Sequence, residues 1–152
     1  MLKAVCCFFV FSLGLIAQAS TVSAGDVRYA SQIRPLFEAK CAPCHGHGAP
    51  EYGDFEKDKD GYAARAKGPR MDSYAQLIFF IGWPDSGAVM RRLDDGTNTK
   101  DGMPGNMYQY LGASDGERQK NLTLFREWIG NWNLKKWPDV TKEEINGLKV
   151  RY

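Results

Sequence analysis

Cys41-Ala42-Pro43-Cys44-His45 is the stretch from which the rest of this 152-residue chain is read. Two thiols two residues apart, followed at once by an imidazole, form the C-x-x-C-H pattern by which a haem is attached covalently. The spacing has a chemical reason. The thiols add across two vinyl groups on one porphyrin edge, and about one helical turn separates the sulfurs. His45 then turns its imidazole under the ring, towards one axial position of the iron. Other uses of these residues fit less well. A thioredoxin-like pair also carries Pro before its second Cys, but it follows an apolar strand within a βαβ unit. The preceding Ile33-Arg34-Pro35-Leu36-Phe37-Glu38-Ala39-Lys40 instead reads as a short helix with Pro near its start, where it is tolerated. A structural zinc site needs four ligands, and beyond the N-terminal segment Cys41, Cys44, His45 and His47 crowd into seven residues. A disulfide across two residues is strained and leaves His45 without a role.

Upstream of the motif the sequence changes character. Lys3 precedes an apolar run from Ala4 to Ile16, too short to span a bilayer. Ala17-Gln18-Ala19 and Val22-Ser23-Ala24 are small-x-small sites, so residues 1–24 read as a secretory signal peptide cleaved after Ala19 or Ala24. Cys6 and Cys7 lie early in the apolar run, not after it, and leave with the signal. Export predicts a periplasmic protein. Cleavage removes Lys3 alone, so 20 basic residues become 19 against 18 acidic ones and the formal charge falls from +2 to +1. No basic stripe of the kind that binds nucleic acid is present.

The mature chain is one domain of helical segments. Ile33, Leu36 and Phe37 mark the helix before the motif. Gly46 to Ala66, rich in Gly, Asp and Lys, reads as a long solvated loop. Asp72-Ser73 caps a helix through Phe80, and another runs from Gly87 to Leu93. Ser114 and Glu117 predict a capping box for the last long helix. Its apolar stripe is Leu122, Phe125, Ile129 and Trp132, widened by Leu124 and Trp128, and Gly130 predicts close approach of a second helix. Trp137-Pro138 and a capped turn at Thr141 to Glu144 form a tail over the domain. No alternating strand pattern occurs.

The second axial ligand decides what such a haem does. His47 cannot reach the opposite face, because two residues span at most about 7 Å. Methionine is the natural donor, and Met71, Met90, Met103 and Met107 remain after cleavage. Met103 is favoured. It lies in Gly102-Met103-Pro104-Gly105, where backbone can approach a ring closely, and it is far enough from His45 to wrap one. Met107, one helical turn on, is its rival.

Around the motif, Gly68-Pro69-Arg70-Met71, Pro84-Asp85-Ser86, Arg91-Arg92-Leu93, Met103-Pro104, Leu111 and Trp128-Ile129 follow in order. That order resembles a branch of the class I monohaem cytochromes c, over most of residues 30–132. The resemblance implies an all-α class I cytochrome c fold, with helices wrapped around one covalently attached haem c and the first and last helices crossing. The mature chain reads as a cytochrome c domain at 25–134 and a tail at 135–152, with the inserted loop at 46–66 as the departure from the family pattern. The resemblance also implies that the Pro69 carbonyl accepts the free N–H of His45, so that Cys41, Cys44, His45, Pro69 and Met103 bind the cofactor, with iron on His45 and Met103. The activity implied is single-electron transfer in the periplasm, not enzymic turnover. The partners are donor and acceptor redox proteins, together with the machinery that matures cytochromes c. His/Met ligation raises the reduction potential, because the thioether favours Fe(II). A haem enzyme or gas sensor with an open sixth position is the alternative from another class. A cytochrome subunit docked in a larger oxidoreductase is a third.

Overall fold

Pro35 sits in the first turn of the first helix, and Gly, Asp or Ser residues interrupt most segments after it, so the chain advances in short helices. The computed structural model describes residues 27–152. The expected signal peptide, with Cys6, Cys7 and both cleavage sites, lies outside the described residues. A single π-helical turn, Tyr29–Ile33, leads into α1 (Arg34–Lys40) and α2 (Ala42–His45). There follow α3 (Tyr52–Lys57), α4 (Lys59–Ala64), α5 (Tyr74–Phe79) and α6 (Ala88–Leu93). The long helix α7 (Asp115–Ile129) and the short α8 (Lys142–Asn146) complete the order. Among the described residues there is no strand, only an isolated bridge between Gly130 and Leu148. The all-α architecture is as expected.

The core forms where the two ends of the fold meet. Ile33 and Phe37 share one buried cluster with Leu122, Phe125, Trp128 and Ile129 of α7. The π-helical turn packs directly on α7. Polar caps then fix where helices start. Ser73 and Gln76 form a full capping box at α5. At α7 the box is only half made. Ser114 accepts from the Glu117 N–H at 3.3 Å, but the Glu117 carboxylate turns to the Ala113 N–H at 2.8 Å and also pairs with Lys40. The ion pair explains the difference, since it ties the end of α1 to the first turn of α7.

Two segments differ from their sequence readings. The stretch 46–66, expected as a loop, carries α3 and α4. Asp58 caps α4 by accepting from Gly61 N at 3.0 Å, and the pairs Lys57–Asp54 and Lys59–Glu56 lie one turn apart. The segment is also tied inward, because the Tyr52 ring sits 4.8 Å from Phe79 and 5.5 Å from Phe80. Gly130, expected to admit a helix, instead ends α7 at φ +83° and admits the tail, since a Cβ there lies 2.9 Å from the Gly147 carbonyl oxygen. From that point the tail is a strap. Lys149 and Val150 donate to the Ile129 and Trp128 carbonyls, each at 2.9 Å. The Arg151 carbonyl accepts from Tyr29 N and from the Trp128 indole, both at 2.8 Å. The Tyr74 hydroxyl donates to the Val150 carbonyl at 2.6 Å. One strap thus joins the first turn, α5 and α7.

Candidate haem site

Cys41 ends α1 and begins α2. Its N–H donates to the Phe37 carbonyl at 2.8 Å, and its own carbonyl accepts from Cys44 N at 3.1 Å and His45 N at 2.9 Å. One helical turn therefore holds both thiols and the imidazole, as the spacing predicts. Both cysteines are free and half-buried. Burial, and next the adjacent Cys44, pushes the Cys41 thiol up to about 12, so it is protonated in the folded chain.

The segment 68–71 runs back along the motif. Gly68 N donates to the Cys44 carbonyl at 3.0 Å, Met71 N to the His45 carbonyl at 2.8 Å, and Arg70 N to the Pro50 carbonyl at 2.8 Å. This brings the Pro69 carbonyl 2.8 Å from His45 Nδ1. A carbonyl only accepts, so Nδ1 carries the proton and Nε2 is left with its lone pair. Burial lowers the His45 pKa, with the Pro69 bond opposing. The ring is therefore neutral, the form that ligates metals. Sequence reasoning named Pro69 but missed Gly68. A Cβ on Gly68 would stand 2.1 Å from His45 Cε1 and 2.6 Å from Nδ1, so the imidazole rests on bare backbone. The signal was the glycine of Gly68-Pro69 itself, whose missing side chain makes room for a ring.

The methionines are placed unequally. Met90 is buried, and its sulfur accepts from Asn133 N at 3.3 Å. Met71 and Met107 are partly buried against the core. Met103 is 63% exposed on a separate loop. Its backbone is fixed, with its N–H donating to Asp101 at 3.0 Å and its carbonyl accepting from the Thr99 hydroxyl at 3.0 Å. His47 is exposed on the turn after α2. Among the described residues no group of three or more His, Cys, Asp or Glu is placed to hold a metal ion, so the zinc reading has no ligand set. Two thiols on one turn, a neutral imidazole with Nε2 free, and a thioether not packed in the core make up a donor set that fits a covalently attached haem.

Comparisons with known proteins agree with that fit. The family model described as PccH Cytochrome c matches residues 28–152, a span that includes the tail. The solved structure of the monoheme cytochrome PccH from Geobacter sulfurreducens is similar at 55% identity. The match covers 84% of this chain and 100% of that one, with a TM-score of 0.79. No curated protein matches.

Proposed function

Because this chain belongs to the PccH cytochrome c family, and so is a monohaem cytochrome c with one covalently bound haem c, we propose that it is an exported carrier of single electrons between redox proteins. When bound, the haem supplies a one-electron Fe(III)/Fe(II) couple. The chain's residues do the rest. Cys41 and Cys44 would hold the haem through their thiols, and His45 would ligate its iron through Nε2. Pro69 keeps the Nδ1 proton in place, which fixes the ring's orientation and makes it a better donor. Met103 would supply a soft thioether donor to the iron, which favours the reduced state. With His45 and Met103 both committed to the iron, substrates would be kept off the metal, and outer-sphere electron transfer would remain. Residues 1–24 direct export to the periplasm, where the maturation machinery joins haem to the two thiols and the redox partners act as donor and acceptor.

The observation that carries this reading is the His45–Pro69 bond at 2.8 Å, with the ring seated on Gly68. It commits one ring nitrogen and leaves the other for a metal. The methionine assignment is supported by the burial of Met90 and the packing of Met71 and Met107. Spectra of the purified protein test both. The expected outcome is a haem that stays bound on acid–organic extraction and a low-spin ferric form with the weak charge-transfer band of sulfur–iron ligation. Met103→Ala abolishes the band, lowers the potential and lets the ferrous form bind carbon monoxide, whereas Met107→Ala does none of these. If Met107→Ala alone removes the band, the wrong sulfur has been assigned. A parent protein that is high-spin and binds carbon monoxide readily replaces the carrier by an enzyme or sensor.

A further inference from the structure

The loop that presents Met103 is anchored on a buried charge. Asp94, just after α6, has 0% of its surface exposed. Its Oδ1 accepts from Gly96 N at 2.9 Å and Asn98 N at 3.2 Å. Its Oδ2 accepts from Asn98 Nδ2 at 2.8 Å and from the Trp132 indole N–H at 2.9 Å. Its backbone carbonyl accepts from Gly105 N at 2.8 Å, which closes the loop on itself. Behind it stands Arg126 of α7, 3.6 Å from Asp94, 2.9 Å from Asp95 Oδ1 and 3.1 Å from the Thr97 hydroxyl. The Arg126 guanidinium also lies 5.4 Å from the Trp132 ring centroid. At the loop's neck a Cβ on Gly96 would stand 2.4 Å from the Gly102 carbonyl oxygen, so the two arms are pressed together.

A carboxylate buried this completely is costly unless its acceptor positions are filled, and a filled network specifies one conformation. Asp94 meets that condition with groups from two places: the loop itself and the chain from α7 onwards. Asp94, Gly96 and Asn98 form the base of the loop, and Met103 lies near its exposed tip. Loosening the base therefore changes how the tip is held without opening the apolar core.

We propose that Asp94, backed by Trp132 and Arg126, is a positioning residue that keeps the Met103 sulfur on its ligand site, so that α7 and the turn after it set how readily the sixth ligand lets go. This rests on the assignment of Met103 as ligand. The test uses the ferric holoprotein with imidazole as the probe, because imidazole binds only as fast as the methionine leaves. Trp132→Phe keeps an apolar ring but removes the indole N–H. Asn98→Ala removes one side-chain donor but leaves the Gly96, Asn98 and Trp132 N–H groups on the carboxylate, so the chain still folds, at a lower Tm. Each variant speeds imidazole binding by about tenfold, the scale of one hydrogen bond to a charged group. Tyr74→Phe is the control, since it frees the tail strap from its hydroxyl and lowers Tm but leaves the imidazole rate at the parent value. The proposal is overturned if Trp132→Phe and Asn98→Ala bind imidazole no faster than Tyr74→Phe does. Failure of the underlying assignment has a different signature, a charge-transfer band that survives Met103→Ala.

Discussion

His45 and Met103 are presented by unlike means. On the histidine side, backbone touches the ligand itself: Pro69 accepts from the ring and Gly68 lies under it, where a Cβ would stand 2.1 Å from Cε1. On the methionine side the contacts stop short of the ligand. The backbone is bonded at Asp94, Thr99 and Asp101, and Met103 is 63% exposed. The first arrangement fixes an atom, and the second fixes only a loop. A ligand held by direct contact is sensitive to a single methyl group. A ligand held through its loop responds instead to polar contacts several residues away, and in small steps.

The largest effect expected from that contrast is at Gly68. Gly68→Ala puts a methyl carbon inside the His45 ring contact, and the Gly68 backbone is held in place, because its N–H is bonded to the Cys44 carbonyl. The ring must turn away from Pro69. Overpacking of this kind costs about 1–3 kcal/mol, and the potential and the haem spectrum shift with it. The expected readout is a lower Tm together with a changed low-spin spectrum. An unchanged spectrum in Gly68→Ala would break the contrast, since the histidine would then be no more tightly specified than the methionine.

The insert between His45 and Gly68 tests how local that rigidity is. Tyr52 packs on Phe79 and Phe80, while most of α3 and α4 beyond it is exposed. Tyr52→Ala should cost about 2 kcal/mol, less than a fully buried aromatic because the ring is only half-buried. It should leave the charge-transfer band in place, because the bonds between 44–50 and 68–71 do not pass through it. Removing residues beyond Tyr52, from Gly53 to Arg65, and closing the gap with a short linker should cost less. Thermal melts followed by far-UV dichroism, beside visible spectra, separate the two changes. Loss of the haem spectrum in the shortened chain would show that the insert supports the histidine after all.

These differences track what a sequence can carry. The motif, Pro69, the Ser73 cap and the α7 stripe were legible because each is written in residue type at short spacing. The helices α3 and α4 were not, since six-residue helices containing Gly53 and Gly61 show no apolar period and are held by charge pairs and by Tyr52 on the distant Phe79 and Phe80. The tail strap was legible as a cover but not as a strap, because most of its bonds are backbone to backbone and carry no residue signature. Asp94-Asp95-Gly96-Thr97-Asn98 reads as loop punctuation. Nothing local says that Trp132, 38 residues on, donates to its first carboxylate. Gly68 lay between: its motif was read, but the ring it makes room for is 23 residues away.

The smallest expected effect lies at Thr99, and it bears most directly on how the methionine is held. The Thr99 hydroxyl stands 3.0 Å from both the Gly96 and the Met103 carbonyls, and its single proton serves one of them at a time. Thr99→Ala removes that link between the base of the loop and its tip. The Met103 carbonyl belongs to an exposed residue, where water can replace the lost donor, so the cost stays at about 1 kcal/mol. The low-spin spectrum and the potential should stay close to the parent's, because Met103 remains bound most of the time. Imidazole binding should quicken by a few-fold, less than for Trp132→Phe, since Asp94 keeps its partners. Thr99→Ser should restore the parent rate, because it returns the hydroxyl and lacks only the methyl. If Thr99→Ala instead matched Gly68→Ala in its spectral change, the methionine would be fixed as directly as the histidine, and the two sides of the site would not differ in kind.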